Sequence, residues 1–265
     1  MFYTIFNVTL DNLVLANFLK LMLPKKLKDD SIVEAVCLLQ FETNDAPEII
    51  IGRLSDAPLW KGYSLNRLPM ADIPAPVRKA DDNLRNAPLL QLRSSDGERL
   101  VQIGENVISF HIIGKYCGWI EYESKLKEVI DFLFSKFDGI LIKRIGLRYI
   151  NALSFNRHYV EGAHSLNIDI TAAGDPIDKD FNLNFIKKES ESHFTLTRIA
   201  SPEFVKGNMP EDVTVAIDVD VHTPIVFEIT QKEDVINWIY QAHEFEKKAF
   251  FKLLPQEIIF RLKEA

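Results

Sequence analysis

Apolar and polar positions alternate with a period of two over several stretches of this chain and recur with a period near 3.6 over two others, so strands and helices are interleaved. Residues 31–42 are rich in β-branched and apolar side chains, with Pro24 before them and an Asn-Asp-Ala-Pro stretch after, which predicts a buried strand. Residues 47–54 predict a short helix. Residues 68–88 hold four prolines and a polar run at 78–85, the pattern of an extended excursion over the surface. Residues 89–93 and 100–112 predict a hairpin, because Asp96-Gly97 at its tip supplies the positive backbone dihedrals of a tight turn. Gly104 divides the longer run into a second hairpin, 99–103 and 107–112.

Residues 121–137 place Leu126, Val129, Ile130, Leu133, Phe134 and Phe137 on one helical face, and Asp138-Gly139 ends the helix. Residues 140–155 follow as a strand. Four further strands are predicted at 166–171, 181–188, 193–200 and 213–222, with a turn at 189–192. The second long helix covers 233–254, its apolar side formed by Val235, Ile236, Ile239, Ala242, Phe245, Ala249 and Phe250. Pro255 stops it, and residues 256–263 add a last helical turn or two.

These elements predict an α+β fold with mostly antiparallel sheets and two long amphipathic helices. They fall into two sheet-plus-helix halves, 24–155 and 156–265, sharing one core, with no Gly/Ser-rich linker between them. Residues 1–23 read as an N-terminal extension: Leu13, Phe18, Leu19 and Met22 fall near helical spacing. Its apolar run is too short for a bilayer, which takes about 20 residues, and no basic residue precedes it as in a secretory signal. Met22 reads equally well as the natural start.

Composition narrows the class. A chain of 265 residues, 47% hydrophobic, can bury a large core. A net charge of -7 disfavours a protein that grips nucleic acid through a global basic field. Cys37 and Cys117 lie in apolar or aromatic surroundings with neither a CxxC pair nor metal-ligand spacing, which suits free thiols in a reducing cytoplasm.

Several segments together resemble one family. They are residues 32–36 (Ile-Val-Glu-Ala-Val), 68–74 (Leu-Pro-Met-Ala-Asp-Ile-Pro) with 81–85 (Asp-Asp-Asn-Leu-Arg), 101–104 (Val-Gln-Ile-Gly), 116–119 (Tyr-Cys-Gly-Trp) and 144–151 (Arg-Ile-Gly-Leu-Arg-Tyr-Ile-Asn). In this order they resemble the signatures of a sporadically distributed prokaryotic family of uncharacterised proteins, over most of residues 24–155. The chain departs from that pattern at Leu38-Leu39, where an acidic residue is usual, and at Asp82, where proline is usual. The resemblance implies no catalytic residue. The family's patchy distribution implies mobile or defence-associated loci.

The sharpest candidate for chemistry is Asp218-Val-Asp-Val-His222, since alternation puts Asp218, Asp220 and His222 on one strand face. Two carboxylates and an imidazole could hold a divalent metal and serve a phosphoryl or nucleotide hydrolase. Alternatively the trio is a solvated face beside inward-pointing valines, or its acids pair with Arg148 or Arg198 across the sheet. The solvated face is the expectation.

Arg144 and Arg148 flank Gly146 on one face and form a candidate contact for a small anionic ligand; ion pairs with neighbouring strands are the other reading. Asn151 falls on the opposite face by strict alternation. Trp60, Tyr63, Arg78, Arg85 and Trp119 form a candidate recognition surface for a protein partner or a second copy. His243 with Glu246 is not an HExxH pattern, because position 247 is Lys, and reads as solvated or capping. No nucleophile elbow, P-loop or dinucleotide fingerprint occurs. The sequence therefore favours a cytoplasmic binding or regulatory component, without cofactor and without membrane insertion, over an enzyme.

Overall fold

The alternation in the first predicted strand places it at the centre of the molecule. In the computed structural model, which describes residues 23–24, 27–82, 84–205 and 209–263, it is β1 (Ile32–Glu42). Ala35, Cys37, Leu39 and Phe41 are buried on one face, while Glu34, Val36, Leu38 and Gln40 stand on the other. Its neighbours are β5 (Val107–Ile113) and β6 (Leu141–Leu153), both antiparallel to it.

Beyond β5 the sheet continues through β4 (Arg99–Ile103), β3 (Leu90–Arg93) and β2 (Ser64–Arg67). Beyond β6 it continues through β11 (Val215–His222), β10 (Phe194–Ala200) and β9 (Asn182–Lys188). The nine-stranded order is β2-β3-β4-β5-β1-β6-β11-β10-β9, antiparallel throughout, so residues before and after 155 contribute to one continuous sheet. A separate ribbon pairs β7 (Thr171–Ala172) with β8 (Asp175–Pro176).

The two helical-period stretches form α3 (Trp119–Lys136) and α5 (Lys232–Leu253); α1 (Pro47–Ser55) and α2 (Ala75–Ala80) precede the first, α4 (Phe155–His158) lies between them, and α6 (Gln256–Leu262) comes last. Leu126, Val129, Ile130 and Leu133 of α3 join Cys37, Leu39, Ile108 and Phe110 in one apolar cluster that also takes in Val235, Trp238 and Ile239 of α5. The end of α5 and α6 form a second cluster with Leu153, Ile199, Val215, Ile217 and Val219. Each such side chain contributes about 1.5–3 kcal/mol by leaving water, so it is this face that holds the helices to the sheet.

Two segments differ from the sequence reading. Of the predicted strand 166–171 only Thr171 is in one, as the first residue of β7; before it, the backbone N–H of Asn167 bonds to Leu253 O, and its side-chain amide bonds to the carbonyls of Lys252 and Leu254. The segment thereby satisfies the open carbonyls at the end of α5 instead of a neighbouring strand. The excursion at 68–88 is not uniformly extended, since Pro69 opens a 3₁₀ turn (Pro69–Asp72) and Pro76 lies in the first turn of α2, positions where a missing N–H costs nothing. The predicted helix of the N-terminal extension lies outside the described residues, apart from Leu23. Among the described residues no helix is long and apolar enough to cross a membrane.

Candidate functional site

A cavity of about 110 Å³ lies between α5 and the central strands. Three elements build it. Tyr149 and Asn151 project from β6 on the helix-covered face, opposite to Arg144 and Arg148 as alternation requires. The β1–β6 register shifts between Ile32 and Glu34, a bulge that ends regular pairing beside Ser31 and Ile32 at the cavity wall. Gly118, at φ 89°, caps α3 and sets Trp119 at its first position, with Tyr116 just before.

The walls are aromatic. Trp119 and His243 stack with ring centroids 3.8 Å apart and planes 7° from parallel. Tyr116 meets Tyr149 edge to face at 5.6 Å, and their hydroxyls are 3.2 Å apart. Phe250 and Phe251 complete the apolar lining. Ser31 Oγ donates to Asn151 Oδ1 at 2.8 Å.

Two groups in this cavity are poorly compensated. Glu246 is only 6% exposed, and among the described residues its carboxyl makes no hydrogen bond. Burial pushes its pKa up to about 8, with Lys247 pulling the other way and Asp30 adding to the rise. His243 Nδ1 is buried without a hydrogen-bond partner. Burial, helped by Lys247, takes the pKa of that imidazole down to about 3. Burial also raises the Tyr116 and Tyr149 hydroxyls well above the ordinary phenol range. At neutral pH the cavity therefore presents a protonated carboxyl, a neutral imidazole and two phenols in an aromatic setting.

Spacing alone reads His243 and Glu246 as solvated or capping, which hides this site. A signal was present: the buried row of α5 runs Val235, Ile239, Ala242, Glu246, Phe250, so Glu246 stands where the helical period demands an apolar residue. The buried face also includes Trp238, Phe251 and Leu253, whereas Ile236 and Phe245 are only half-buried.

On the opposite sheet face, Asp218, Asp220 and His222 do share one side, but Asp218 is buried rather than solvated, while Asp220 and His222 are half-buried. Asp218 is 7% exposed and accepts two hydrogen bonds from Arg148, Nε at 2.8 Å and Nη2 at 2.6 Å. The register sets Asp220 between Arg148 and Leu196, and His222 between Gly146 and Phe194, so neighbouring side chains crowd the row. Burial raises Asp220 to about 6 against the pull of Arg148 and Arg144, and burial lowers His222. Among the described residues no group of three His, Cys, Asp or Glu could hold a metal ion, and Arg148 already occupies the Asp218 carboxylate. Arg198 turns instead to Asn182 Oδ1 at 2.9 Å and to the Phe204 carbonyl.

Nor do Arg144 and Arg148 form a paired clamp: Arg148 is spent on Asp218, and Arg144 alone keeps its guanidinium without a hydrogen bond among the described residues. Nearby, His111 bridges Glu34 and Ser109, each at 2.8 Å, and that bond holds the Glu34 carboxyl below its usual range.

The five residues expected on a recognition surface are dispersed. Trp60 is 5% exposed, its Nε1 donating to Leu54 O at 2.7 Å, so it belongs to the core. Arg78 is buried as well, held by Glu105 and by the carbonyl of Ile73. Tyr63 is half-buried against Trp60, Arg85 pairs with Asp82, and Trp119 lines the aromatic cavity. Cys37 is buried and Cys117 half-buried, both as free thiols.

No protein-family model and no curated protein matches the chain. The family resemblance accordingly rests on its motifs alone.

Proposed function

We propose that this is a binding protein that takes a small molecule into the aromatic cavity beneath α5. One observation carries the reading: the Glu246 carboxyl and the Nδ1 atom of His243, one turn apart on α5, are both buried in a space lined by rings, and among the described residues Nδ1 has no hydrogen-bond partner and Glu246 no hydrogen bond. Unsatisfied buried polar groups are costly and are retained where something else completes them. Convergent polar groups with shifted proton affinities in an apolar hollow are the usual marks of a ligand site.

The cavity touches the first turn of α3, the middle of α5 and the central strands, so an occupant bridges the three parts of the helix-covered face. That placement suits a regulatory role, in which occupancy changes how firmly α5 is seated. Two free thiols accord with a cytoplasmic setting.

Ligand-observed NMR with a fragment library, followed by crystallographic location of the hits, tests this reading. Fragments lodged between Tyr149 and Glu246 are expected. Hits found only elsewhere, or none, would overturn it.

A further inference from the structure

Resting on the small-molecule reading of the same cavity, we propose that the ligand is a small organic cation, an ammonium group paired with the carboxylate of Glu246 and enclosed by the rings of Tyr116, Trp119 and Tyr149.

The charges lining the cavity favour this class over the alternatives. Among the described residues of the wall, Asp30 and Glu246 are acidic and Lys247 is basic. An anion would share the wall with Asp30 and gain no counter-charge from Glu246, protonated or not. A neutral apolar molecule would fill the space yet leave Glu246 without a counter-charge and His243 Nδ1 without a hydrogen-bond partner. An ammonium satisfies both. Its charge pairs with Glu246, and an N–H can donate to the Nδ1 lone pair of His243 when the ring proton sits on Nε2.

The aromatic walls add to the preference. Three aromatic rings line one small space, Trp119 with one face already stacked on His243, and aromatic rings attract cations most strongly where water is excluded. His243 stays neutral beside them, so it does not compete with the ligand for Glu246. Among the described residues, the titratable groups that share the cavity wall with Glu246 are His243 and Lys247 on its own helix, Tyr116, Tyr149 and Asp30. Near neutral pH the Glu246 proton leaves for solvent as the cation enters, so binding is accompanied by release of one proton from the protein.

Three probes of similar size and different charge test the proposal on the intact chain by isothermal titration calorimetry at pH 7: tert-butylammonium, tert-butanol and pivalate. Tert-butylammonium is expected to bind at least tenfold more tightly than either of the others. Comparison of two buffers with different ionisation heats should show about one proton released per cation, and Glu246→Gln should abolish both the preference and the proton release. Tert-butanol or pivalate binding as tightly as the ammonium would overturn the cation assignment while leaving the small-molecule reading standing. Absence of binding by all three would overturn both.

Discussion

Arg148 holds Asp218 across the β6–β11 pair through two nearly parallel hydrogen bonds, yet the two partners are unequally placed: the arginine side chain is 43% exposed and the aspartate only 9%. Loss of the guanidinium strands a carboxylate away from water, whereas loss of the carboxylate leaves an arginine that can turn to solvent. Arg148→Met is therefore expected to destabilise the fold by about 2–3 kcal/mol and Asp218→Asn by about 1 kcal/mol. Urea denaturation of the two variants measures the difference; equal losses would mean that the aspartate is better solvated than its position indicates.

The cavity groups give stability a distinctive pH dependence. Glu246, raised from 4.5 to about 8, keeps its proton in the folded chain while the unfolded chain has lost it, so stability falls as pH rises between those values. His243, lowered from 6.5 to about 3, acts in the opposite sense: the unfolded chain gains a proton that the folded chain refuses, so stability rises with pH over that range. Where the ranges overlap the two slopes oppose each other. Above pH 6.5 only the Glu246 slope remains, and stability is expected to decline toward pH 8 by on the order of 1–2 kcal/mol. Glu246→Gln should flatten that decline, as read by thermal unfolding at pH 6.5 and 8.5. A decline that persists in the variant would assign it to another group.

Gly104, at the end of β4, is held by sterics. A Cβ there would lie 2.7 Å from both the Ala87 carbonyl oxygen and Val107 Cγ1. The Gly104 N–H is bonded to Val107 O at 2.8 Å and Leu89 N–H to Ile103 O at 2.7 Å, so neither strand can easily give way. Gly104→Ala is expected to cost about 1–3 kcal/mol. Gly52, in α1 with nothing within 4 Å, is the control: Gly52→Ala should leave stability unchanged or raise it by up to about 1 kcal/mol. Thermal denaturation of the pair decides the point.

Much of the fold is legible in the residues because most elements carry one clear period. The alternation of residues 32–42 marks a strand with two unlike faces, and Leu126, Val129, Ile130 and Leu133 mark a helix docked on one side. Residues 166–171 mislead because apolar alternation says nothing about where backbone hydrogen bonds go, and Asn167 sends them to the end of α5. Trp60 and Arg78 look like surface residues because aromatic and charged side chains beside prolines usually are, yet each finds a carbonyl or carboxylate inside. The cavity depends on residues far apart along the chain, Tyr116, Tyr149 and Glu246, whose meeting follows from strand order rather than from spacing.

The position of β1 sets the timetable of assembly on the ribosome. It is the earliest of the nine strands to be translated, yet both its edges pair with later ones, β5 through His111 and β6 through Arg148. At about 5–20 residues per second, the nascent chain carries this apolar strand with at least one open edge until residue 153 has emerged. Ribosomes that stop after β5 leave one edge of it bare. Newly made chains thus pass through an interval in which the future centre of the sheet offers an unpaired apolar edge to other chains.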